Sequence, residues 1–240
     1  MTVPRIVVGD GAALARLGAD RVISAAARSI AARGHFSLVL SGGSTPKALY
    51  KLLGDEPGCL DWSKTSLYFG DERHVAPEHA DSNFKMANDS LISRVNIPAG
   101  NVHRIKGEAD AAQAASEYHE LLQQKKIASG EQFDLVLLGM GADGHTASLF
   151  PETTALDEKE RLVASTWVEK LKTHRITLTP KALLAARSVV FLIGGADKVD
   201  TLQDVLEGEF KPRTYPSQLI FRGEGNVELY GDRAATAKLK

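Results

Sequence analysis

The sequence predicts an α/β protein, a mostly parallel, Rossmann-like sheet with helices on both faces, formed as a single domain over residues 1–240. Two observations carry this. The runs Ser37–Leu40, Thr65–Phe69, Phe133–Leu138 and Ser188–Ile193 are short and apolar, as strands buried on both faces must be, and helical patterns separate them. Each run ends in a polar, glycine-bearing loop, at Ser41, Gly70, Gly139 and Gly194, and in a parallel sheet all four loops open at one edge, where ligands bind.

Taken in order, Arg5–Val8 reads as a first strand and Gly9-Asp10-Gly11 as a turn that caps a helix. That Ala-rich helix buries Val22, Ile23, Ala26 and Ile30 and ends near Gly34. After the strand Ser37–Leu40, Ser41-Gly42-Gly43-Ser44-Thr45-Pro46 leads into a helix from Lys47 to Leu53. Gly42 and Gly43 let successive N–H groups turn inward, Ser44 and Thr45 add donors, and Pro46 suits the first helical position, which together make a phosphate cradle. A capped turn with no ligand is the alternative reading of this stretch. The G-x-x-x-x-G-K-[ST] pattern is absent, so a small phosphate ester fits better than a nucleoside triphosphate.

Beyond Thr65–Phe69 comes Gly70-Asp71-Glu72-Arg73-His74, in which Asp71 and Arg73 point into one crevice and Glu72 away from it. Asp81 and Ser82 cap a helix running to Leu91, with Asn83 a candidate ligand contact. Val102–Ile105 reads as a short strand and Glu108–Lys126 as a helix. Arg175–Leu178 is a strand, Thr179-Pro180 starts a helix through Ala186, and Val227–Tyr230 is the final strand. Gly194-Gly195-Ala196-Asp197-Lys198 places Lys198 at a helix start, where it either holds a phosphate as a point charge or is simply solvated.

The central stretch is Phe133–Pro151, FDLVLLGMGADGHTASLFP. Asp143 and His145 stand past the strand end, and an imidazole with a reference pKa of about 6.5 suits proton transfer near neutral pH. The glycines also spell the dinucleotide fingerprint G-x-G-x-x-G, but Pro151 closes the helical stretch beginning at Gly144, and residues 152–161 form a charged loop rather than the required unit.

Formal charge is −1 and pI about 6.7, so no broad basic field exists to hold nucleic acid or an anionic membrane. No apolar run approaches the roughly 20 residues of a span, and the chain reads as cytoplasmic, a monomer or weak homo-oligomer. The single cysteine, Cys59, is a turn or core thiol. No cluster has the spacing of a metal site, so neither a metal nor any other cofactor is expected.

SGGSTP, YFGDER, DSNF, FDLVLLGMGADGHTASLFP, RITLT and GGADK, in this order across residues 41–198, resemble the 6-phosphogluconolactonase family, whose fold is similar to that of the sugar-phosphate isomerases and deaminases. The resemblance implies hydrolysis of a phosphosugar lactone, 6-phospho-D-glucono-1,5-lactone, in the pentose phosphate pathway without metal or cofactor. On this reading His145 is the general base, Arg73 steadies the oxyanion, Asp71 positions Arg73 or a sugar hydroxyl, and Asp143 orients His145. Gly42, Gly43, Ser44, Thr45, Asn83, Arg175 and Lys198 then bind substrate, and Ser148 is a helix or packing residue rather than a nucleophile. Where many members have a proline-rich lead into RITLT, this chain has Lys170-Leu171-Lys172-Thr173-His174. The rivals are an amino-sugar phosphate deaminase and a non-catalytic sugar-phosphate sensor. Phe150 and Arg73 stand where the deaminase motif carries a glutamate and an aromatic residue, which removes the acid that ring opening needs.

Overall fold

The computed structural model describes residues 3–127 and 131–240. Seven strands form one wholly parallel sheet: β1 (Arg5–Val8), β2 (Phe36–Leu40), β3 (Thr65–Phe69), β5 (Val102–His103), β6 (Leu135–Leu138), β9 (Val189–Ile193) and β10 (Val227–Asp232). Every residue of β2, β6 and β9 is buried, so both faces of the sheet are covered, and the apolar runs read from the sequence become its centre. Its helices are α1 (Gly11–Arg33), α2 (Ser44–Asp55), α3 (Asn83–Ser90), α4 (Ala111–Gln124), α5 (Pro180–Leu184), α6 (Val199–Glu207) and α7 (Gln218–Phe221). Asp10 caps α1 by accepting from the Ala13 amide at 2.9 Å, and Gly34 ends it in the left-handed region. Among the described residues no helix is long and apolar enough to cross a membrane.

The strand order is β1-β10-β9-β6-β2-β3-β5. From β2 the chain winds outward through β3 to β5, then returns to the other side of β2 and winds through β6, β9 and β10. The direction therefore reverses between β2 and β6, whose carboxyl ends flank the crevice that such a reversal opens.

A second, three-stranded antiparallel sheet lies beside this edge and extends the expected single-sheet picture. It comprises β4 (Asp71–Arg73), β8 (Thr173–Leu178) and β7 (Val163–Val168), in the order β4-β8-β7. The Asp71–Arg73 segment, read as a loop, is thus a strand. It is paired because Gly70 bridges the sheets, its N–H donating to Leu40 O and its carbonyl accepting from the Leu178 amide, both at 2.8 Å. Residues 144–150, expected to be helical, are a run of turns instead. Gly144 and Ala147 both have positive φ, at 78° and 48°, which an α-helix excludes, and the Ser148 amide is bound to Thr177 Oγ1 at 3.2 Å. Pro46 stands third in α2, since the helix opens at Ser44.

Candidate active site

At the β2/β6 reversal lies a cavity of about 260 Å³. Its first wall is the loop after β2. Ser41 is pinned by Tyr50, whose hydroxyl accepts from the Ser41 amide at 2.8 Å and donates to the Ser41 carbonyl at 3.0 Å. Gly43, at φ 110°, turns the chain into α2 in a conformation that side-chain-bearing residues rarely adopt, and no side chain caps the helix. The first-turn amides of α2 therefore meet the cavity unoccupied by a cap, and the buried Ser41 Oγ has no partner among the described residues. An anion there would meet backbone donors, a hydroxyl and the positive end of a helix.

The opposite wall is the loop after β6. His145 Nδ1 is hydrogen-bonded to Asp143 Oδ1, and the imidazole stacks on Phe150 with ring centroids 4.1 Å apart. Nδ1 is committed, so Nε2 is the nitrogen free to exchange a proton. The fit requires Gly141, because a Cβ at that position would come within 2.2 Å of the ring. Asp143 Oδ2 accepts from Lys170 Nζ. Burial alone would push the Asp143 carboxyl up, but the hydrogen bonds from His145 and Lys170 outweigh it and hold the group well below the usual carboxylate range.

β4 supplies the third wall, with Asp71 and Arg73 lining the cavity. They do not pair. Asp71 Oδ2 accepts from Ser148 Oγ at 2.6 Å and Oδ1 from Asn83 Nδ2 at 3.2 Å, whereas Arg73 Nη1 donates to the Asp81 carbonyl at 2.5 Å. Glu72 turns to the other side, where it accepts from the Asn83 and Phe84 amides at 2.7 and 2.8 Å and so caps α3. Burial pushes its carboxyl up. Lys198 reaches the cavity from the loop after β9, with its ammonium 3.0 Å from Asp197.

The cavity thus gathers Gly42, Gly43, Ser44, Thr45, Asp71, Arg73, His145 and Lys198 from four separate segments of the chain. Three expected residues do not line it. Asn83 is buried beneath the cradle, 2.2 Å from where a Cβ on Gly42 would lie, and spends its amide on Asp71. Arg175 is paired in register with Arg73 across β4 and β8, where burial, reinforced by the Arg73 guanidinium, lowers its pKa. Asp143 stands behind His145, as an orienting group would. Lys170 and Phe150 were missed as neighbours of the imidazole. Lys170 is 27 positions from Asp143, and only the antiparallel hairpin that sequence periodicity did not reveal brings it there.

The family described as glucosamine-6-phosphate isomerases/6-phosphogluconolactonase matches residues 9–229. The chain belongs to this family. Within the family, it is 39% identical over 237 residues to the 6-phosphogluconolactonase of Nostoc sp., covering 97% of both chains. To the 6-phosphogluconolactonase of Synechocystis sp. it is 41% identical over 217 residues, covering 89% of this chain and 88% of that one. The solved 6-phosphogluconolactonase of Trypanosoma cruzi superposes with a TM-score of 0.87 at 28% identity, covering 100% of this chain and 97% of the other. The mostly parallel α/β fold and the resemblance carried by the six motifs both stand.

Proposed function

We propose that the protein is a 6-phosphogluconolactonase, hydrolysing 6-phospho-D-glucono-1,5-lactone to 6-phosphogluconate. Family membership supports the reaction. The observation that carries the site assignment is that the Asp143–His145 pair and the uncapped start of α2 face one cavity.

The phosphate occupies the cradle of Gly42, Gly43, Ser44 and Thr45, with Lys198 as counter-charge and Arg175 entering only if its side chain swings from β8. The lactone carbonyl then lies toward His145 and Arg73. His145 Nε2 takes a proton from water, and the water oxygen bonds to the carbonyl carbon. The resulting oxyanion is met by the Arg73 guanidinium. When it collapses, the bond from that carbon to the ring oxygen breaks, and the imidazolium returns its proton to the departing oxygen. Asp143 holds the ring in the tautomer with Nδ1 protonated, and Asp71 accepts a sugar hydroxyl. Asn83 acts from behind by fixing Asp71.

On the same reading residues 1–240 form one cytoplasmic catalytic unit, a monomer or weak homo-oligomer with no nucleic-acid or membrane partner and no cofactor. A formal charge of −1 supports the absence of a polyanionic partner. Because the lactone also opens spontaneously in water, the test compares its decay with and without protein, alongside ammonia release from glucosamine 6-phosphate. Acceleration of the first and none of the second is expected. The reverse result would transfer the assignment to the deaminase branch, and neither activity would leave a sugar-phosphate sensor.

A further inference from the structure

The turn joining β7 to β8 carries Glu169, Lys170 and Leu171, and Lys172 closes it at φ 50°. Charges on this tip are sorted. Glu169 is taken by Trp167 Nε1, at 2.7 Å, and by Lys172 Nζ, so it does not compete for Lys170. Lys170 instead reaches across to the other sheet's loop. Its ammonium donates to Asp143 Oδ2, the oxygen that His145 does not use, and lies 5.9 Å from the centre of the Phe150 ring. Phe150 in turn stacks on His145. One lysine therefore meets the imidazole's two supports, the carboxylate on its Nδ1 edge and the ring on its face, without itself lining the cavity.

We propose that Lys170 is a positioning residue that holds Asp143 between its own ammonium and the His145 ring, and so sets the pH at which His145 becomes available as a base. The inference deepens the lactonase reading and rests on His145 as that base. A carboxylate serving His145 alone stabilises the imidazolium and keeps the ring protonated to higher pH. A carboxylate shared with a permanent ammonium stabilises it less, so the neutral, proton-accepting ring persists to lower pH. The second contact acts in the same direction, since a cation over Phe150 adds positive charge near the ring face. Other charged groups facing the imidazole are Asp71, Arg73 and Lys198 across the cavity, while Tyr215, packed on Gly144, is engaged with Asp204. None of these changes when Lys170 is replaced, so a comparison between variants isolates its effect.

The side chain is 61% exposed, so Lys170→Met folds normally and the effect is moderated by solvent. The acid limb of the kcat/KM profile of Lys170→Met moves up by about half a pH unit, which lowers activity about threefold at pH 6 and leaves it unchanged at pH 8.5. KM stays the same, and Lys170→Arg restores the wild-type profile. The NMR titration of the His145 ring moves in the same direction, and it is read without turnover. Superimposed profiles and ring titrations would overturn the proposal, as would a raised KM with an unmoved acid limb, which marks a substrate contact instead. If His145→Ala retained turnover while the ring titration still moved with Lys170, the base assignment would fail and the coupling would stand.

Discussion

At the scale of single residues, the two assignments that matter most are separable by substitution. On the proposed roles, His145→Ala removes the proton acceptor while leaving the phosphate cradle untouched, so turnover falls about a hundred- to ten-thousand-fold with little change in 6-phosphogluconate affinity. Equal turnover in a stopped-time lactone assay would end the assignment. Ser148, three residues after His145, could be mistaken for a nucleophile, but it is 1% exposed and its Oγ is spent on Asp71. Ser148→Ala therefore keeps turnover within about tenfold of wild type, yet lowers unfolding free energy by about 1.5–3 kcal/mol, because a buried carboxylate loses a donor. A variant that is stable but inactive would point to an acyl-enzyme. Asp143 and His145 were legible because both stand in one short loop, where type and spacing suffice. The Asp71–Ser148–Asn83 network was not, since each member belongs to a different segment and its partners are chosen by the packing of β4 against β8.

At the scale of elements, what the sequence announces depends on how completely an element is buried. β2, β6 and β9 are buried throughout and apolar but for Ser37, so they stand out, whereas β7, Val163–Val168, mixes Ser165, Thr166 and an exposed Trp167 with its apolar residues and escapes notice. β4 is three residues long, two of them acidic and one basic, and is a strand only because β8 pairs with it. The edge strand β5 has its own chemistry. His103 is 8% exposed, its ring is 4.7 Å from that of Tyr68, and its Nε2 has no partner among the described residues. Burial, aided by the charge of Lys125, lowers its pKa to about 4. The unfolded chain takes up this proton near pH 6.5 and the folded one only near pH 4, so the contribution to stability is intact above about pH 6.5 and is lost as pH falls through that window. His103→Leu, which keeps the ring site apolar, should thus lose less stability than wild type between pH 6.5 and 4.5. Parallel urea-midpoint curves for the two proteins would refute the assignment.

At the scale of the whole molecule, the site exists because the winding direction reverses once. Strand-end loops that are far apart in the chain meet at that crevice, and the pattern could be read in advance because polar, glycine-bearing sequence follows each apolar run. What could not be read is the second sheet, whose short antiparallel pairings close one side of the crevice and deliver Lys170 and Arg175 to its border. A cavity assembled from four separate segments ties ligand binding to global stability, since a ligand that bridges them favours the folded chain over the unfolded one. At a hundred times its Kd, 6-phosphogluconate should stabilise the fold by about 2.7 kcal/mol. For a chain of this size that raises Tm by about 5–10 °C. The cradle assignment makes the phosphate responsible, so gluconate without it should give almost no shift at the same concentration. Lys198→Ala, which removes a point charge while retaining the backbone donors around Gly43, should shrink the shift by several degrees and make it less sensitive to salt. Equal shifts for the phosphorylated and unphosphorylated acids would place the binding energy on the sugar and separate the start of α2 from substrate recognition.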